Sequence, residues 1–214
     1  MLLLKKELEN IKKELNFFPE KEREEKFLSY LNYLLEYNKK INLTSFKDLK
    51  ELLRCQSFDF FPLLNINLNK FLVDIGAGAG FLTIPLSIFL NDKNIIALEP
   101  NKKKSFFLGI IKYKLNLNFE IIEKRMEESL GFLPKEEIDF LIKALPKKEK
   151  IIKFLSKKIK NKNRLIYFSG KNYNEFKNKI KMWYSFKEMI ISPLRDSSYI
   201  LIFENVSCET WEKL

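Results

Sequence analysis

Apolar positions recur at helical spacing through the first third of the chain. Phe27, Leu28, Leu31, Leu34 and Leu35 fall at i, i+1, i+4, i+7 and i+8, one stripe of a helix over Lys21–Lys40. An earlier helix is expected over Leu3–Leu15 and a later one over Leu49–Phe61, stopped by Pro62. Tyr30, Tyr33 and Tyr37 ride on the flank of the second helix, where packing is a simpler role than base stacking. The period then changes. Short apolar runs at Phe71–Ile75, Asn94–Leu98, Phe119–Ile122, Ile138–Ile142 and Leu165–Phe168 read as buried strands. Between them lie helical stretches at Phe81–Leu90, at Lys102–Lys114, in a lysine-rich segment ending near Ile159, and at Tyr173–Lys181. This alternation predicts an α/β fold with a mostly parallel sheet and helices on both faces. Phe186–Ile191 and Tyr199–Phe203 leave no room for a helix between them and predict an antiparallel hairpin at one edge. The expected organisation is a helical N-terminal cap, residues 1–65, on an α/β domain, residues 66–214.

Composition narrows the chemistry. The chain has 214 residues, 46% hydrophobic and 31% charged, enough for one globular domain with a full core. It contains no histidine, which removes Ser-His-Asp triads, Cys-His dyads and histidine metal sites together. Two cysteines, Cys55 and Cys208, cannot build a disulfide framework or a four-ligand zinc site. The acids are scattered without EF-hand spacing, so no metal is expected. Ile75–Leu90 lacks charge but carries glycines and Pro85, whereas a spanning helix wants roughly 20 apolar residues. The apolar start, Met1–Leu4, is ended at once by Lys5, Lys6 and Glu7, unlike a signal peptide. Unpaired cysteines without an export signal place the protein in the cytoplasm, away from membranes.

The net charge is +11, and it is not spread evenly. Between Lys143 and Lys181 lie 14 basic residues against two acids, Glu149 and Glu175, while the rest of the chain is close to neutral. Such a segment attracts polyanions and supplies phosphate contacts. Nucleic acid is the favoured partner over an acidic lipid or protein surface, and a solvated face without a partner is the bland alternative.

The most informative segment is Val73-Asp74-Ile75-Gly76-Ala77-Gly78-Ala79-Gly80-Phe81, which joins the first strand to a helix. In a doubly wound sheet this turn lies at the carboxyl end of the strand, where ligands bind. A dinucleotide fingerprint, G-x-G-x-x-G, would put its third glycine at position 81, but Phe81 stands there and the glycine comes one residue early, at Gly80. The spacing G-x-G-x-G is that of S-adenosylmethionine (SAM) methyltransferases. Asp74 is placed to orient the loop or to meet a cationic ligand through water. Glu99 ends the second strand 23 residues after Gly76, near the ~20-residue spacing of an acid that accepts from ribose hydroxyls. Pro100 biases it to an extended conformation, and Asn101 can cap the next helix. After the third strand, Met126 can offer a backbone N–H and Glu127 a carboxylate to an adenine; Glu127 can equally serve only the helix it opens.

These residues resemble the glucose-inhibited division protein B family, the small-subunit ribosomal RNA methyltransferase G enzymes. The match is carried by Tyr37-Asn38-Lys39-Lys40-Ile41-Asn42-Leu43-Thr44-Ser45, by Leu53-Arg54 with Asp59 five residues on, and by the glycine segment Val73–Phe81. It continues through Ile84-Pro85-Leu86-Ser87, Lys103–Leu108 and Arg125-Met126-Glu127-Glu128. It covers about Leu28–Asp139 well and the last third poorly. The resemblance implies a SAM-dependent enzyme that methylates guanine N7 in 16S ribosomal RNA, releasing S-adenosylhomocysteine. It also implies a seven-stranded Rossmann-like methyltransferase sheet under a helical cap, with cofactor contacts at Gly76, Phe81, Met126 and Glu127. The glycine-loop reading adds Asp74, Ala77, Gly78, Gly80 and Glu99 to that set. Four positions depart from the family pattern: Cys55 stands where His is usual, Glu99 where Asp is, Lys143-Ala144-Leu145 for Ser-Arg-Ala, and Phe168-Ser169-Gly170 for Leu-Lys-Gly.

Guanine N7 has an in-plane lone pair and no proton, so its methylation needs no general base. Placement of N7 about 3 Å from the methyl, in line with sulfur, would supply the catalysis. No catalytic acid or base is expected; Lys143 is the one candidate at the mouth of the site. Arg54, Arg125, Lys143, Lys147, Lys148 and Arg195 are the expected RNA contacts, each with a surface or salt-bridge role as its alternative. The expected partner is small-subunit ribosomal RNA or the 30S subunit, met by a monomer. Three readings stay open beside this one: a SAM methyltransferase acting on a small molecule or protein, an inactive RNA-binding member of the fold, and, on the glycine spacing, a nicotinamide-dependent oxidoreductase.

Overall fold

The computed structural model describes residues 2–146, 148–158, 163–181, 184–191 and 198–205. Its strands are β1 (Phe71–Ile75), β2 (Asn94–Leu98), β3 (Glu120–Ile122), β4 (Ile138–Lys143), β5 (Arg164–Ser169), β6 (Tyr184–Ile191) and β7 (Tyr199–Asn205). They form a seven-stranded sheet in the order β3-β2-β1-β4-β5-β7-β6. β1 to β5 run parallel, whereas β7 is antiparallel to both β5 and β6. The hairpin expected at one edge is there, with β7 on its inner side. From β1 the chain builds outward through β2 to β3 and then returns to β4 on the other flank. β1 and β4 therefore flank the topological switch point, where open α/β sheets carry their ligand crevice.

The helices are α1 (Leu2–Leu15), α2 (Lys21–Ile41), α3 (Leu49–Phe60), α4 (Thr83–Phe89), α5 (Lys102–Lys114), α6 (Met126–Ser129), α7 (Lys148–Lys158) and α8 (Tyr173–Ile180). Strand alternation divides the core between the two faces. Leu72, Ile95, Ala97, Leu141 and Ile166 pack with residues of α1–α5. Val73, Ile96, Phe140, Ile142 and Leu165 pack with residues of α6–α8. The first three helices thus share one continuous core with α4, α5 and the sheet. Phe27, Phe60, Phe61 and Phe89 interlock there, with Phe60 and Phe89 stacked at 5.2 Å. Burying such rings contributes roughly 1.5–3 kcal/mol each.

α2 buries Phe27, Tyr30, Leu31 and Leu34, the stripe read from its periodicity. It stops at Asn42, which takes the left-handed conformation (φ 49°) that asparagine tolerates. Asn38 then shapes the following turn: its Oδ1 accepts from the Leu43 and Thr44 N–H groups at 2.6 and 2.8 Å, and its Nδ2 donates to the Thr44 carbonyl at 2.8 Å. α4 starts at Thr83, two residues later than the apolar run suggested. The reason is Asp74, whose Oδ2 accepts from the Thr83 N–H and hydroxyl and so ends the glycine loop there.

Arg164 belongs to the fold. Its guanidinium holds the fully buried Asp139 through two bonds of 2.7 Å, and Asn69 donates to the same carboxylate through its N–H and Nδ2. The pair joins β4 to β5 at their N-terminal ends, at the end of the sheet opposite the glycine loop. Among the described residues no helix is long and apolar enough to cross a membrane, and no His/Cys/Asp/Glu group could hold a metal.

Candidate active site

The glycine loop leaves β1 at the switch point and is tied down from four sides. The Gly76 and Ala77 N–H groups both donate to the Leu98 carbonyl at the end of β2, at 2.8 and 3.1 Å. Gly78 donates its N–H to Glu99 Oε2 at 2.7 Å, and the other oxygen of that carboxylate takes the Asn101 N–H at 2.8 Å. The Tyr30 hydroxyl of α2 donates to the Ala79 carbonyl at 3.1 Å. Asp74 holds the exit through Thr83.

The glycines serve different ends. A Cβ built on Gly80 (φ +83°) would lie 2.5 Å from Ile84 and 2.7 Å from Leu108, so this position is bare because the helices close on it. At Gly78 (φ +60°) the nearest atom to such a Cβ is the Gly76 carbonyl oxygen at 3.7 Å, an ordinary contact, so here the positive φ and not crowding favours glycine. Leu145, in the turn after β4, rests on Gly76.

Electrostatics follow from burial. Asp74 is enclosed, and desolvation raises its pKa to about 6; Glu99 adds to the rise, while the Thr83 bonds and Lys143 act against it. Tyr30 is pushed well above the ordinary tyrosine range by burial and by Asp74, so its hydroxyl stays a donor. Glu99 is itself buried, but its two bonds leave lone pairs for further donors.

On the α1–α5 side of the loop stands a second constellation. Lys143, the last residue of β4, pairs with Asp59 near the end of α3. Its Nζ also lies 5.0 Å from the centroid of the Phe81 ring, against which Phe46 packs edge-on at 6.3 Å.

The family model for rRNA small subunit methyltransferase G matches residues 23–194 of this sequence. The chain belongs to that family. A relative in Aquifex aeolicus, named ribosomal RNA small subunit methyltransferase G, is 34% identical over 149 residues, 66% of this chain and 74% of that protein. The protein of the same name in Fusobacterium nucleatum is 41% identical over 107 residues, 49% of this chain and 46% of its own length. A solved SAM-dependent methyltransferase from Aquifex aeolicus superposes with a TM-score of 0.55 at 16% identity, covering 72% of this chain and 93% of that one. That likeness is one of fold, and it agrees with the Rossmann-like sheet.

The remaining residues singled out from the sequence of this methyltransferase G family member fall in several places. Met126 sends its side chain into the core, and the half-buried Glu127 follows it at the start of α6. Arg125 is exposed, without an ion pair among the described residues. Arg54 is engaged within the helical layer, where it donates to Glu7 at 2.9 Å and to Glu14 at 3.5 Å. Burial works against the ionised Glu7, but the bonds from Arg54 and Lys50 outweigh it and hold that pKa low. Lys148 is half-buried, bonded to the Tyr167 hydroxyl with Phe176 beyond, instead of standing free on a basic face. Lys147 and Arg195 lie outside the described residues.

Sequence reasoning assigned no role in the site to Tyr30, Thr83, Phe46, Asp59 or Leu145. For Tyr30 a signal was present: a tyrosine inside an apolar stripe needs a partner for its hydroxyl. Asp59 stood in the family motif, but nothing local ties it to a lysine 84 residues away.

Proposed function

We propose that this protein transfers the methyl group of SAM to N7 of a guanine in small-subunit ribosomal RNA. The observation that carries the reading is the family match, which encloses both the glycine loop and Glu99. The residues present fit the cofactor. At Gly78 a side chain would meet no atom closer than 3.7 Å, so a ligand can approach the bare backbone there, and Glu99 keeps acceptor capacity at its rim for ribose hydroxyls. The backbone at Met126 and the Glu127 carboxylate are the groups for the adenine. Bound SAM supplies an electrophilic methyl group, which N7 can take without giving up a proton.

The work of the chain is therefore placement. Leu98, Glu99, Tyr30 and Asp74 immobilise the loop, so little ordering is left to be done on binding. Phe81 offers an apolar face beside that loop. Arg125 and the exposed Lys150 and Lys157 of α7 supply phosphate contacts. No residue is assigned as acid or base.

Nucleoside mass spectrometry of small-subunit RNA from cells with and without the gene tests the reading. Loss of N7-methylguanosine is expected on deletion, and an unchanged level overturns it.

A further inference from the structure

We propose that the Asp59–Lys143 pair forms a base-reading subsite that selects guanine by its Watson–Crick edge; the inference rests on the guanine-N7 reading and adds what would choose that base. The two side chains come from different layers, α3 and the end of β4, and meet where β4 reaches the switch point. Their exposures are 10% for Asp59 and 22% for Lys143, so both are largely withdrawn from water. Desolvating an ion pair seldom stabilises a fold, because an apolar pair of similar volume does as well or better. Asp139–Arg164 meets that cost by saturation, with four donors on one carboxylate. Asp59–Lys143 is not saturated. Among the described residues Asp59 takes a bond from Lys143 alone, and the ammonium donates to Asp59 alone. One carboxylate oxygen and further N–H groups remain to be used beside the Phe81 ring.

That remainder has the order of guanine's edge. Guanine presents O6 as acceptor, then N1–H and the N2 amino group as donors. An ammonium bonds the first and a carboxylate the other two. Adenine presents an amino donor where guanine has O6, and a bare N1 where guanine has N1–H, so it opposes both groups. Phe81 provides a face for the ring to stack on, as sites that take a base out of the RNA commonly do. Holding this edge leaves N7 free. The pair is also neutral overall, so it does not oppose the positive charge that N7 methylation places on the base.

The test uses the full-length protein and small-subunit RNA transcripts with guanosine or inosine at the modified position, since inosine lacks only the N2 amino group. Wild type should prefer guanosine roughly tenfold or more in kcat/KM. Asp59→Asn should lower kcat/KM on guanosine by at least tenfold, bring the two substrates close to equal, and leave SAM affinity within about twofold. Should Asp59→Asn fold poorly because Lys143 is left unpaired, the double variant Asp59→Asn/Lys143→Met removes that charge and is read in the same way. A guanosine preference that survives in either folded variant overturns the subsite alone. Wild type that yields no N7-methylguanosine on any transcript overturns the functional reading, and the subsite with it.

Discussion

The hydroxyl of Tyr30, on α2, donates to the carbonyl of Ala79 in the glycine loop at 3.1 Å, and both residues are buried. The N-terminal helices thereby hold the candidate cofactor loop directly. Tyr30→Phe keeps the ring and removes the donor, leaving a buried carbonyl without its partner. Stability should fall by about 1–3 kcal/mol, and SAM should bind more weakly. Urea unfolding and calorimetry check the two effects; unchanged SAM affinity would separate α2 from the loop.

The glycines should respond differently. Gly80→Ala pushes a methyl into Ile84 and Leu108 at a positive φ and should destabilise by about 2–5 kcal/mol. Gly78→Ala makes no contact closer than 3.7 Å, to the Gly76 carbonyl oxygen, so the backbone strain alone should cost about 1–2 kcal/mol, while SAM binding suffers more than stability does. Thermal unfolding with and without SAM distinguishes the cases.

Asp74 makes stability depend on pH in a stated direction. Its folded pKa, raised to about 6, lies above the ordinary carboxyl value near 4. Its favourable contribution is therefore complete below about pH 4 and is lost as pH rises through about 6. Asp74→Asn removes the titration. Between pH 4 and 7 the wild type should lose on the order of 3 kcal/mol relative to the variant, read by denaturant unfolding across that range. A constant difference would mean that Asp74 is not desolvated.

The basic residues should separate into two kinds. Lys150→Glu with Lys157→Glu, on the exposed side of α7, should weaken RNA binding and flatten its salt dependence without lowering Tm appreciably. Arg164→Met should cost about 3–5 kcal/mol by stranding the Asp139 charge, with the slope of log Kd against log salt unchanged. Filter binding over a salt series, alongside thermal unfolding, reads both.

Much of this molecule was legible in local pattern. β1, β2 and α5 have the bounds that the apolar runs and their caps suggested. Asn101 caps α5 as read, with its Oδ1 accepting from Lys103 and Lys104. The glycine spacing and the acid at the end of β2 pointed to one loop, and the Gly78–Glu99 bond of 2.7 Å joins them. Less legible were ends set by distant side chains, such as the start of α4. The use of each charge was also hidden: Arg54 and Lys148 are expected RNA contacts and Arg164 falls within the basic segment, yet they meet Glu7, Tyr167 and Asp139.

Periodicity and turn chemistry act between neighbours, so the sequence by itself determined the elements, their alternation and the loop that opens the sheet. Which charges meet was decided only in three dimensions. Lys143 follows Leu141 by two residues on β4, and that parity turns it toward α1–α5 and Asp59. The lysines of α7, a few residues later, lie over the opposite face. One basic run in the chain thus becomes two surfaces, because strand alternation turns Lys143 to one face while the crossover from β4 to the parallel β5 lays α7 over the other.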